Sequence, residues 1–456
     1  ITLTLTNVLY VVTAGLVLLL LWKSQRKQSS IGQLPPGPTP YPLLGNILQI
    51  DVKEPYKYYL KLSKKYGSVF TIWLANSPVV IISGYQALKD TMIGLGEEFS
   101  GRATYPLLMK ITLGYGSGHR WKEMRRFTLM TLKNFGMGRR SIEERVREEA
   151  EKLVEITLIL CYFLFKGSAF SPADMLSNTV ANVICSIVFG QRFEFEDQIY
   201  NVFPKLVSLF PGKHHLLFRD VDKAREYCKL QAKARINNEK YNPDTEYHFD
   251  NLISLVWNLF SAGTETTSST VRHALLLMMK HPDVQERVQK EIDEVVGRDR
   301  WSSVEDRQNL PYTDAVIHEI QRNMDLAPIA VPHKMMCNTE YNGYVIPKGV
   351  MVFPLLSSVL IDPKMWKNPN CFDPENFLDA DGRFQKNDAF VVFGMGKRAC
   401  LGEALARIEL FNFFISLLQH FTFKATVPLE ELDTTPTKCS FGRMPRTYDC
   451  YAIPRK

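Results

Sequence analysis

The ten residues Phe393-Gly394-Met395-Gly396-Lys397-Arg398-Ala399-Cys400-Leu401-Gly402 constrain this chain more than any other stretch. They place glycines, an arginine and one cysteine directly ahead of an apolar run, residues 401–421, that reads as a helix. A cysteine at a helix N-terminus faces the positive end of the dipole and free backbone N–H groups, and both favour the thiolate. Glycines let backbone approach something bulky and flat. Arg398 adds positive charge and can pair with an anionic group. Together these features describe a thiolate metal ligand whose sulfur is moderated by N–H donors. A lone cysteine beside a turn would read as simple packing. The pattern Phe-x-x-Gly-x-Arg-x-Cys-x-Gly is far more specific than that.

The remaining cysteines narrow the class further. There are eight in 456 residues, scattered, with no C-x-x-C pair. That excludes a disulfide framework and a structural zinc site, and it fits a reducing compartment. The net charge of +7 is too weak for nucleic acid without a patterned patch; an anionic membrane surface or an acidic protein partner fits it.

Residues 1–22 carry no charge, and at 1.5 Å per residue they can cross a hydrocarbon core of about 30 Å. Lys23, Arg26 and Lys27 follow, which by the positive-inside rule leaves the rest of the chain facing the cytosol. A cleaved signal peptide, the rival reading, would want a shorter apolar core and a small-residue cleavage site. Residues 23–42 form a basic stop-transfer stretch and a hinge, with five prolines in residues 34–42 that favour stiff, extended backbone.

Residues 43–456 read as one large domain, mostly helix with some strand. Periodicity predicts helices over 54–66, 120–132, 141–153, 249–280, 282–296, 311–323 and 401–421. Alternation over 69–83 predicts a hairpin, and 344–353 two short strands around Pro347-Lys348-Gly349. The helix over 249–280 is no second membrane span, because Glu265, Arg272 and His273 interrupt it.

The decapeptide resembles the haem loop of the cytochrome P-450 family of haem-thiolate monooxygenases, and the likeness runs through the whole chain. It most resembles the vertebrate microsomal family-2 enzymes and, within them, subfamily K of fishes. Trp121-Lys122-Glu123-Met124-Arg125-Arg126-Phe127 and Thr131-Leu132-Lys133-Asn134-Phe135-Gly136-Met137-Gly138 are similar to that group. The resemblance implies a mainly α fold with a small β portion behind one N-terminal transmembrane helix. Haem b (iron protoporphyrin IX) is the implied cofactor and Cys400 its iron ligand, with Phe393, Gly396 and Gly402 shaping the loop. Arg102, Trp121, Arg125, His333 and Arg398 would hold the haem carboxylates, a task suited to the guanidinium fork.

Glu319 and Arg322 form a Glu-x-x-Arg pair. Two other such pairs, Glu123/Arg126 and Glu144/Arg147, show how common the spacing is. By resemblance the pair at 319 supports the cysteine loop together with an arginine, where this chain has Asn376. Ala262-Gly263-Thr264-Glu265-Thr266-Thr267 lies inside the apolar helix. One reading is a threonine bonded back to the i−4 carbonyl. The other, implied by the resemblance, is that Glu265 and Thr266 relay protons to dioxygen. Implied pocket residues are Ala262, Leu326, Ala327, Ile329, Val331 and Phe441. Arg120, Lys122, Arg126, Lys133, Arg139 and Arg140 read as a solvated face, or as a docking surface for an acidic electron donor.

The implied activity is insertion of one oxygen atom from O2 into fatty acids, steroids or foreign lipophiles. Electrons come from NADPH through NADPH-cytochrome P-450 reductase, with cytochrome b5 as a second donor. The setting is the endoplasmic reticulum membrane, and no nucleic acid is involved. Between Trp121 and Thr266, however, the chain is a few tens of residues shorter than the family, and residues 156–165 are an uncharged run where relatives carry a polar helix end. Two other readings follow: a membrane-anchored haem-binding protein without turnover, and a reductase-independent haem-thiolate isomerase.

Overall fold

A computed structural model describes residues 6–10, 12–17, 34–103, 116–134, 140–164, 168–188, 192, 249–437 and 442–455. Among these residues the main helices are α1 (Pro55–Tyr66), α2 (Gly118–Asn134), α3 (Arg140–Ile159), α4 (Ala173–Val188), α5 (Phe249–Lys280), α6 (Pro282–Val295), α7 (Pro311–Met324) and α8 (Glu403–His420). The strands are β1 (Val69–Leu74), β2 (Ser77–Ser83), β3 (Gly101–Arg102), β4 (His333–Lys334), β5 (Thr339–Tyr341), β6 (Tyr344–Ile346), β7 (Met351–Leu355), β8 (Phe421–Ala425) and β9 (Cys450–Pro454). Residues 6–10 and 12–17 are helical, but among the described residues no helix is long and apolar enough to cross a membrane.

The chain sorts into two compact units. The first comprises Ile1–Ala103, Ala327–Asp362 and Gly394–Ala399. It is built on a five-stranded sheet ordered β1-β2-β7-β4-β3. The expected hairpin is β1 and β2, paired from Val69↔Ile82 to Leu74↔Ser77. Strand β2 then pairs in parallel with β7, Val79 opposite Met351. The expected strands over 344–353 form, but they part company: β6 pairs with β5, and β7 joins the main sheet. Phe70, Ile72, Val79 and Ile81 are fully buried against Tyr59 and Leu62 of α1. Each such side chain stabilises the unit by about 1.5–3 kcal/mol.

The second unit comprises Thr104–Leu326, Pro363–Phe393 and Cys400–Lys456. Its apolar core is made by α3 to α8 and the β8–β9 pair. Helix α7 opens on Pro311, and its first N–H groups are held by Glu291 of α6, whose carboxylate accepts from Tyr312 N at 3.0 Å and Thr313 N at 2.7 Å. Helix α3 runs six residues past the expected end and continues as a π-helical turn, Leu160–Leu164. The end of α3 and that turn together take up residues 156–164 of the uncharged run. One side of it is buried, with Thr157 bonding the Leu153 carbonyl at 2.7 Å and the Cys161 thiol 3.2 Å from the Ala452 carbonyl; Tyr162 faces outward. Helix α5 crosses α4 at Gly263, where an added Cβ would lie 2.7 Å from Ile184 Cδ1. A side chain here would require Ile184 to shift.

Candidate functional site

The cysteine loop ends as its residue types require. Its glycines take left-handed backbone, Gly394 at φ 75° and Gly396 at φ 69°. A Cβ on Gly396 would lie 1.8 Å from the Met92 carbonyl oxygen, so no other residue fits there without moving backbone. The Cys400 N–H donates to the Phe393 carbonyl at 2.8 Å. Gly402 is the N-cap of α8, and the N–H groups of Gly402 and Glu403 point at the Cys400 sulfur. The thiol is solvent-accessible, yet most of its surroundings are protein, and desolvation raises its pKa. The two N–H groups and Arg125 oppose that rise, and Glu403 adds to it. The expected tilt toward thiolate is therefore present but outweighed by burial. A bound cation would complete it, since a coordinating thiol loses its proton.

The Glu-x-x-Arg pair at 319 is fully buried, with side chains 0% and 1% exposed, and this sets it apart from its lookalikes. Arg126 and Glu144 are exposed. Arg322 donates to both Glu319 oxygens, at 2.7 and 2.6 Å, and to the carbonyls of Pro369 and Cys371 at 2.8 and 2.9 Å. Its guanidinium also lies 5.2 Å from the centre of the Trp366 ring. Burial pushes the Glu319 carboxyl up, and Arg322, the Asp373 N–H and Asn376 pull it back. Asn376 fills the third place: its amide donates to Glu319 at 3.3 Å and its carbonyl accepts from Asn368 N at 3.0 Å. The bond is neutral where an arginine's would be charge-assisted.

Arg102, His333 and Arg398 gather in the first unit. Strands β3 and β4 set Arg102 opposite His333. Arg102 donates to the Val331 carbonyl at 2.6 Å and Arg398 to the Ser100 carbonyl at 2.7 Å. His333 Nδ1 meets the Phe99 carbonyl at 2.6 Å. Burial and the two guanidinium charges hold the His333 pKa down to about 3. Within the second unit Trp121 is buried, and Arg125 one turn later on α2 is close enough to Cys400 for each to act on the other's charge. Arg120, Lys122, Arg126 and Lys133 are exposed along the same helix.

Thr266 donates to the Ala262 carbonyl at 2.6 Å, the back-bonded arrangement, and Glu265 accepts from Ser269 at 3.1 Å. Thr266 and Ala262 are both exposed, so the hydroxyl stays available. Of the remaining pocket expectations, Leu326 belongs to the second unit and Ala327, Ile329 and Val331 to the first, where Ile329 leans on the apolar core. Phe441 lies outside the described residues, as do Lys23, Arg26, Lys27 and Arg139.

Two groups in α8 escape sequence reasoning. Arg407 donates to Glu403 at 2.8 Å and to His318 Nε2 at 2.9 Å, and its guanidinium lies 5.1 Å from the centre of the Phe393 ring. It thus ties α7 and α8 to the start of the cysteine loop. Its i, i+4 spacing from Glu403 was the only signal. Glu409 is 1% exposed, and among the described residues it accepts only from the Thr267 hydroxyl at 3.2 Å, with no partner for Oε1. Burial pushes its pKa up to about 8.

The donor set fits haem: one soft sulfur under two N–H groups for iron, and cationic side chains for carboxylates. Comparison with known proteins agrees. The cytochrome P-450 family model matches residues 35–219 and 219–450. Cytochrome P-450 2M1 of Oncorhynchus mykiss is 53% identical over 491 positions, covering 98% of this chain and 97% of its own. Cytochrome P-450 2G1 of Rattus norvegicus is 43% identical (95% of each chain), and 2C29 of Mus musculus 44% identical (96% of this chain, 97% of its own). An aligned length of 491 against a chain of 456 means that the relative carries positions this chain lacks. The chain belongs to the cytochrome P-450 family and has its fold, mainly helical with some sheet. Membership makes it an oxidoreductase of the monooxygenase kind with haem b as cofactor and electrons drawn from NADPH through a reductase.

Proposed function

We propose that this member of the cytochrome P-450 family inserts one atom of O2 into lipophilic substrates such as fatty acids, steroids or foreign compounds. NADPH-cytochrome P-450 reductase is its electron donor and cytochrome b5 a second one, both docking on the basic face of α2. Residues 1–22 anchor it in the endoplasmic reticulum membrane, and residues 43–456 face the cytosol. The observation that carries this reading is the Cys400 sulfur beneath the N–H groups of Gly402 and Glu403 at the start of α8.

When bound, haem supplies the iron at which dioxygen is activated, and a thiolate ligand favours O–O cleavage. The chain's own residues do the rest. Cys400 holds the metal. Arg102, Trp121, Arg125, His333 and Arg398 bind and orient the carboxylates. Glu265 and Thr266 relay the protons that the reduction of O2 consumes; Thr266, bonded to the Ala262 carbonyl, keeps its oxygen free to accept. Ala262, Leu326, Ala327, Ile329 and Val331 give the substrate an apolar lining, which selects weakly among lipophiles.

The test is the carbon monoxide difference spectrum of the reduced, purified protein beside Cys400→Ala, followed by NADPH consumption with reductase and a lipophile present. A long-wavelength thiolate band lost in the variant, together with reductase-dependent product, is the expected result. A second reading, a haem-binding protein without turnover, is favoured by the positions missing relative to 2M1. It predicts the same spectrum without product.

A further inference from the structure

His333 Nδ1 sits 2.6 Å from the Phe99 carbonyl oxygen. A carbonyl can only accept, so the hydrogen is on Nδ1. A neutral imidazole has one N–H, which leaves Nε2 as a bare lone pair. The ring cannot turn the other nitrogen outward without breaking the Phe99 bond, and it is buried at 5% exposure. The charges around it are cationic: Arg102 across the β3–β4 pair and Arg398, bonded to the neighbouring Ser100 carbonyl. On the β7 side its neighbours are Val352 and Met351, which carry no charge. Among the described residues no carboxylate acts on the ring.

We propose that when this cluster binds the carboxylates of haem, His333 takes up one proton from solvent at Nε2. The proposal rests on the reading of the chain as a haem protein and deepens it. A carboxylate brings only acceptor oxygens, and facing a lone pair it would be repelled. A carboxylate also cancels the guanidinium charges that keep the ring neutral. With the proton on Nε2 the contact becomes a charge-assisted hydrogen bond. The balance is simple: water or buffer gives one proton, Nδ1–H stays on Phe99, and no covalent bond of the chain breaks. Proton and haem then bind cooperatively, each strengthening the other by the same factor. Haem affinity should fall as pH rises, by up to tenfold per pH unit, from the ring's lowered value of about 3 to its value in the complex.

The experiment titrates haemin into the haem-free full-length chain in detergent at pH 6 in weak buffer. Visible absorbance follows binding, and an indicator dye follows protons. His333→Gln is the comparison, because its amide donates without needing a proton. Protons released elsewhere are common to both and cancel. The wild type should take up one proton per chain more than His333→Gln. Equal proton counts, with absorbance showing haemin bound to both, would overturn the proposal and leave the haem reading standing. A chain that binds no haemin would overturn that reading and the proposal with it. If the variant does not fold, histidine 15N resonances of the wild type decide the question. Nε2 should move from the range of a bare ring nitrogen to that of a protonated one, and an Nε2 that stays bare with haemin bound refutes the uptake.

Discussion

Replacing Glu409 by glutamine should make the protein more stable above about pH 4.5, increasingly so up to about pH 8. The side chain is 1% exposed in α8, and among the described residues it has a single hydrogen bond, from Thr267, and one oxygen without a partner. Burial raises its pKa from 4.5 to about 8. Below pH 4.5 the group is protonated in folded and unfolded chains alike and costs nothing. As pH rises, the unfolded chain releases the proton and the folded chain keeps it, so stability is lost up to the folded value and is level above it. Over about 3.5 pH units, at 1.36 kcal/mol each, the loss is on the order of 5 kcal/mol. Glutamine keeps the shape and has no proton to lose. With an unfolding entropy of about 2.1 cal/mol/K per residue, a chain of this length changes its Tm by roughly 1 °C per kcal/mol. The Tm of Glu409→Gln, measured on haem-loaded protein at a fixed scan rate, should equal the wild-type value near pH 4.5 and exceed it by about 5 °C at pH 8.5. Parallel pH profiles for the two proteins would refute the argument, because they would mean that Glu409 is already ionised in the fold.

Three further outcomes can be checked. Arg322→Lys cannot reproduce two bonds to Glu319 and two carbonyl contacts at once, so it should cost about 3–5 kcal/mol and lower haem content on purification. Gly396→Ala places a methyl 1.8 Å from the Met92 carbonyl oxygen at a φ of 69°, and should abolish the carbon monoxide band while Gly67→Ala, which meets nothing, leaves it. His273 is 1% exposed beside Arg443 with its pKa lowered to about 4, so the fold should lose on the order of 3 kcal/mol as pH falls from 6.5 to 4, a loss visible as an acid limb in Tm that His273→Gln removes.

Helices α5 to α8 and the β1–β2 hairpin were legible to within a residue or three, because proline starts, glycine stops and clean periodicity act locally. The cysteine loop was legible for the same reason: its residue types have few other uses. Asn376 could be assigned its place, but not its hydrogen bonds, which depend on where Asn368 and Glu319 meet. Glu409 was invisible. An acid between apolar residues of a helix usually marks the solvated face, and only the approach of Thr267 from 142 positions away shows otherwise. The separation of β6 from β7 was hidden likewise, since a strand's partner is chosen by the sheet and not by its own sequence.

The parallel pairing of β2 with β7 sets a condition on how this protein is made. Val79, Val80, Ile81 and Ile82 are fully buried once Met351–Leu355 arrives, but about 270 residues separate the two strands. At roughly 5–20 residues per second, a ribosome leaves that apolar edge open for about 15–50 s. An unpaired strand edge of this composition is a template for association with other chains. The hairpin therefore spends most of synthesis needing a temporary cover, and the rate of translation through its second half sets how long that need lasts.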